Sequence, residues 1–180
     1  MSGRIVFGMK ALPLIVVAGL ASMVLATPTG IAGQGCAESS ASPRTARLTI
    51  KALHILDKPI RTRACDLASG PIWDLAYKTR PGMGLTMVVD AHDVTPVPGY
   101  GVHGPFYRLH LIKPGYVAKI KWNGVWRTYR FVARPTPYPQ SEVDKPIKSW
   151  GVETIYFRCC WPRYTRNAYL TARAVLVRTQ

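Results

Sequence analysis

This chain of 180 residues predicts an all-β fold, a closed barrel of seven to eight strands with short helices in the loops. Three observations carry that prediction. From Ala46 onward, short runs rich in Val, Ile, Thr, Tyr and Trp alternate apolar with polar residues, the period of a half-buried strand. Proline and glycine, 15 of each, punctuate the runs. No segment sustains a helical period, so the strands must close on one another to leave no exposed edge.

The N-terminus stands outside that barrel. Arg4 and Lys10 precede a charge-free run from Ala11 to Ala26, and no charge appears until Glu38. A positive flank, an apolar centre and a small-residue exit describe a signal peptide, and the run is also long enough to span a bilayer. Residues 1–33 are therefore a signal peptide or an N-terminal membrane anchor. The reading leans to an uncleaved anchor, against which Pro28 and Gly30 argue. In either case the positive-inside rule exports the remainder of the chain. Residues 34–46, rich in Gly, Ala, Ser and Pro, form a linker to a single domain over 47–180.

Within the domain the expected strands are 47–52, 54–60, 85–92, 117–122, 126–134, 154–160 and 170–178. Asn123-Gly124, between two alternating runs, is a hairpin turn. Residues 106–111 suit a short helix or turn, ended by Lys113-Pro114-Gly115, and 69–77 suit another short helical piece. The five tryptophans are core residues by default, with Trp161 as a candidate wall of a substrate groove.

With 24 Lys and Arg against 9 Asp and Glu, the formal charge is +15. Such a surface adheres to anionic membrane or to an anionic wall polymer. Nucleic acid is discounted, because the basic residues are scattered instead of striped and the chain is exported.

Four cysteines in an exported chain raise the question of disulfides. Cys36 with Cys65 is the reasonable pair, since a bridge between the neighbours Cys159 and Cys160 would be strained. Alternation along 154–160 separates those neighbours. Cys159 shares a face with Ile155 and Phe157 and reads as core, while Cys160 shares one with Thr154, Tyr156 and Arg158. His92 ends an earlier strand, and a thiol with an imidazole at two strand ends is the material of cysteine-nucleophile chemistry. His54, His103 and His110 read as surface or packing residues, and Asp90 and Asp93 as loop carboxylates that flank His92. Two adjacent cysteines and one distant histidine are a poor zinc set, so no metal and no cofactor are expected.

These residues resemble the sortases, and in particular their actinobacterial, class E-like members. Arg47-Leu48-Thr49-Ile50-Lys51-Ala52-Leu53 is similar to their opening strand. Thr79-Arg80-Pro81-Gly82 is similar to the segment leading to their catalytic histidine, and Gly104 through Gly115 to the stretch after it. Cys160-Trp161-Pro162-Arg163 resembles the segment directly after their nucleophile. The resemblance runs in order from Arg47 to Arg178 and implies an eight-stranded barrel.

It also implies cysteine transpeptidation. A thiolate cleaves the Thr–Gly bond of an LPxTG- or LAxTG-like sorting signal, and a cell-wall amine takes the acyl group. Carried over, Cys160 is the nucleophile and His92 its acid/base partner. The sequence departs from the family in two places. In the TLxTC signature only Cys160 is matched, and Tyr169-Leu170-Thr171 stands where the family has an Arg-Leu-Val-like triplet. Tyr169 and the nearby Arg158, Arg163 and Arg166 are therefore the candidates for holding substrate or oxyanion. The same departure suggests a rival, a sortase-fold protein that binds peptide or wall polymer without turnover.

Overall fold

The computed structural model describes residues 46–62, 67, 70–74, 76–94, 103–163 and 167–180. The expected N-terminal segment, the linker as far as Thr45, Cys36, Cys65 and Arg166 lie outside them, while Ala46, expected as the last linker residue, opens the first strand. Nine strands form one sheet: β1 (Ala46–Ile50), β2 (Ile55–Ile60), β3 (Ile72–Trp73), β4 (Thr86–Asp90), β5 (Val117–Trp122), β6 (Val125–Phe131), β7 (Thr136–Pro139), β8 (Thr154–Trp161) and β9 (Ala168–Thr179). Their order is β2-β1-β5-β6-β9-β8-β4-β3, with β7 paired to β9 off that path. A parallel bridge between Arg61 and Ile72 spans the seam between β2 and β3, and the barrel is nearly closed.

All seven expected strands form. Asn123 (φ 49°) and Gly124 (φ 80°) turn β5 into β6 with two residues at positive φ, the geometry that matches the strand twist. The inward residues of β1, Ala46, Leu48 and Ile50, are wholly buried and meet Ala118 and Ile120 of β5 in the core. A short 3-10 turn at Leu109–Leu111 fulfils the expectation over 106–111.

Three expectations need correction. Residues 72–73 are a strand, because Trp73 fills the core (1% exposed) and pairs with Val89. Strand β7 was hidden by Pro137 and Pro139. Proline cannot donate to a ladder, and among the described strands β7 pairs with β9 alone. Trp150 is exposed, not core.

Strand β8 is the centre of the molecule. It pairs in parallel with β4 and antiparallel with β9. Every residue from Thr154 to Cys159 is buried, so the polar face expected to look outward is covered too. The cover is the segment 144–150. The Tyr156 hydroxyl donates to the Pro146 carbonyl (2.8 Å) and accepts from the Trp150 indole (2.7 Å). The Thr86 hydroxyl reaches the Lys148 carbonyl (2.8 Å). At the start of β8, buried Glu153 accepts from the amides of Gly82 (2.7 Å) and Gly84 (3.2 Å) and from the Tyr129 hydroxyl (2.5 Å). The Thr79–Gly82 segment is thereby tied to the strand that carries the cysteines.

Candidate active site

Two ladders converge on Cys160. Strands β4 and β8 run in parallel from Thr86 against Thr154 to Asp90 against Arg158. The Ala91 amide extends the match by donating to the Arg158 carbonyl (3.1 Å). His92 follows Asp90 by two residues, as Cys160 follows Arg158 along β8. On the other side the antiparallel ladder places Tyr169 directly opposite Cys160. All three residues line one cavity of about 410 Å³, with Asp74, Asp144 and Arg158.

The two thiols differ as alternation predicts. Cys159 is 3% exposed and Cys160 half-buried. Burial pushes the Cys159 thiol well up, and the charges of Asp93 and Cys160 push the same way. Its Sγ lies 3.8 Å from the Phe106 carbonyl. Cys159 thus stays a protonated core thiol, which leaves Cys160 as the nucleophile candidate.

The backbone of His92 is held by the segment Gly104–Phe106. The Phe106 amide donates to the His92 carbonyl (2.9 Å), and the Gly104 amide to that of Asp93 (2.8 Å). A Cβ on Gly104 would stand 2.3 Å from the His92 carbonyl oxygen, so only glycine permits this approach. Phe106 is fully buried and meets Phe157 edge-on at 5.8 Å, which roots the clamp in the core. Asp93, next to the histidine, is buried at 3% exposure. Burial pushes its carboxyl up, against the Val94 amide and the charges of His92 and Arg163.

Arg158 points into the cavity, and its donors are taken. Nε donates to Asp90 (2.8 Å), one terminal nitrogen to Asp144 (3.1 Å), and the other to Asp90 (3.0 Å) and Asp74. Burial opposes its charge, but Asp90, Asp74 and Asp144 outweigh it and hold the guanidinium protonated. The cluster is one cation among three carboxylates, so Arg158 lends the thiolate little net positive field. Its guanidinium also lies 5.7 Å from the Tyr169 ring.

Arg163 is not among the residues lining the cavity, though its charge is felt by Asp93 and Cys159. It stacks on the Tyr107 ring at 3.9 Å and donates to the Tyr107 hydroxyl (3.0 Å). His110 lies beside it, and His103 stacks on Tyr107 at 3.6 Å, so both histidines are packing residues. Trp161 packs on His110 at 5.9 Å and is absent from the cavity lining. Sequence reasoning missed Asp74 and Asp144 as partners of Arg158. They lie far from it along the chain, and no local pattern announces the convergence.

No family model matches this sequence, and no curated protein does. Solved structures do match. Sortase E from Streptomyces avermitilis is 18% identical, with a TM-score of 0.60 over 78% of this chain and 93% of that one. The SrtF sortase from Corynebacterium diphtheriae is 15% identical, with a TM-score of 0.61 over 76% and 86%. Sortase C-1 from Actinomyces oris is 20% identical, with a TM-score of 0.64 over 77% and 74%. At such identities the likeness is one of architecture, and by that measure this chain has the sortase fold.

Proposed function

We propose that the chain is a sortase-type cysteine transpeptidase, acting outside the membrane from an N-terminal anchor. The observation that supports this reading is that His92 and Cys160, each two residues beyond the paired Asp90 and Arg158, line one cavity. The Cys160 thiolate attacks the carbonyl carbon of the Thr–Gly bond in an LPxTG- or LAxTG-like sorting signal. The C–N bond breaks, and imidazolium His92 gives its proton to the departing amine. The threonyl group is left as a thioester on Cys160. A cell-wall amine then attacks that carbonyl, its proton passes to His92, and the thiolate leaves as the new amide forms.

The tetrahedral oxygen needs a donor, and Tyr169 is the nearest candidate in register. Arg158 acts through position, because its N–H groups are engaged with carboxylates. The basic domain, at +15, suits work against an anionic membrane or wall surface.

A second reading has its own support. With a tyrosine opposite the thiol and Arg158 neutralised, the fold serves to bind a sorting peptide or wall polymer without cleaving it. Mass spectrometry after incubation with an LPxTG or LAxTG peptide separates the two. A thioacyl adduct that disappears in Cys160→Ala supports the enzyme. Intact peptide and no adduct, with an amine acceptor present, leaves only the binding protein.

A further inference from the structure

Strands β8 and β9 carry a second depression on the face that holds the candidate site. Its floor includes Tyr156, Thr171 and Arg173, and it encloses about 420 Å³ between residues 133–138 and 145–150. Along β8 the order on this face is Tyr156, Arg158, Cys160, and along β9 it is Arg173, Thr171, Tyr169. The groove and the cavity therefore lie on one face of the sheet, on either side of the buried Arg158. Tyr156 is four residues from Cys160, a span of about 13 Å along a strand.

The two stretches differ in charge. Among the described residues, four cations line the groove, Arg134, Lys145, Lys148 and Arg173, and no carboxylate does. Lys145 pairs with Glu142 (3.0 Å), and Arg173 stacks on Trp150 at 4.0 Å. Arg134 and Lys148 are exposed. On the floor, Thr171 is 5% exposed, and its hydroxyl has no hydrogen-bond partner among the described residues. A buried hydroxyl left so invites a ligand atom that can complete it.

We propose that this groove holds an acidic stretch of the polypeptide substrate, with carboxylate side chains about four residues N-terminal to the threonine of the scissile bond, directly before the sorting core. The inference rests on the transpeptidase reading and deepens it. The part N-terminal to that bond stays on the enzyme through both half-reactions, so a holding groove serves that part. An extended peptide with its carbonyl at Cys160 spans the distance to the cations in about four residues.

Binding of fluorescent peptides to the full-length Cys160→Ala protein tests this without turnover. Two peptides carry the same LAxTG core, one with two glutamates directly before the core leucine, five and six residues upstream of the scissile bond, the other with two glutamines there. The glutamate peptide binds tighter by roughly fivefold to tenfold at about 0.05 M salt, and the preference shrinks at about 0.5 M. Adding Arg134→Gln and Lys148→Gln, both at exposed positions, removes most of the preference while circular dichroism stays unchanged. Equal affinity for the two peptides overturns the inference, as does a preference that survives the double substitution. Displacement by inorganic polyphosphate while the two peptides bind alike also overturns it, and assigns the groove to a phosphate polymer. Charge preference without a thioacyl adduct in the wild-type protein sinks the transpeptidase reading alone, and an adduct without preference sinks the groove alone.

Discussion

Along β8 the inward residues Ile155, Phe157 and Cys159 meet hydrocarbon, with Phe157 against the rings of Phe131 (5.4 Å) and Phe106 (5.8 Å). The outward residues Tyr156 and Arg158 are about as well hidden, yet each meets hydrogen-bond partners drawn from distant segments. Burial alone therefore does not distinguish the two faces; what fills the space does. A hydrocarbon face tolerates exchange of one apolar shape for another. A polar face under cover demands particular partners, because each unpaired group costs its full desolvation. Cys160 sits at the end of the demanding face, where its polar surroundings are already fixed.

Replacing one residue on each face is the strongest way to break this comparison. Phe157→Ala opens a cavity and lowers stability by about 3–5 kcal/mol. Arg158→Met removes the counter-charge from Asp74, Asp90 and Asp144 and lowers it by a similar ~3–5 kcal/mol at neutral pH. Only the second loss depends on pH. Without Arg158, like charge and burial raise the carboxyl pKa values in the folded variant above those of the unfolded chain. A raised folded value favours folding below the unfolded carboxylate range, near pH ~4, and that advantage disappears as pH rises through the folded value. The Arg158→Met deficit therefore shrinks toward about pH 4 and is largest at pH 7, while the Phe157→Ala deficit stays level. Urea denaturation across that range reads both, and a level Arg158→Met deficit would refute the contrast.

The inward face was legible in the sequence and the outward network was not. Alternation assigned Cys159 to the core and Cys160 to the other side, and period and punctuation were enough to place seven strands and the Asn123-Gly124 turn. These signals are local, carried by residues one or two apart. The clustering of Asp74, Asp90 and Asp144 on Arg158 depends on which strands become neighbours, and single-chain patterning holds no record of that. The same limit explains the helix expected over 69–77. Trp73 goes to β4 because the barrel needs it there, and tertiary pairing overrides local preference. Register between β4 and β8 was likewise invisible until both strands were laid side by side, and it is their parallel pairing that turns the ends bearing His92 and Cys160 toward one cavity.

A smaller effect sharpens how the polar end is held. Gly104→Ala forces a methyl group to 2.3 Å from the His92 carbonyl oxygen, so the Gly104–Phe106 clamp must shift. The expected loss is about 1–3 kcal/mol, measured by thermal or urea unfolding. Because Phe106 belongs to the core, the shift reaches both faces of β8, and His92 ring resonances move along with stability. Unchanged stability and unchanged His92 resonances would show that the clamp is not tight.

The smallest effect compares the two adjacent thiols. Cys159→Ala removes one buried sulfur from the inner face and costs about 1 kcal/mol, whereas Cys160→Ala, at a half-buried position, changes stability by less than ~0.5 kcal/mol. Reactivity runs the other way. Iodoacetamide needs an accessible thiolate, and burial together with the charges of Asp93 and Cys160 keeps Cys159 protonated. Timed alkylation and peptide mass spectrometry should find Cys160 modified roughly tenfold or more ahead of Cys159. Equal rates would mean that the inner face opens as readily as the outer one, and the division of labour between the two cysteines would fall with it.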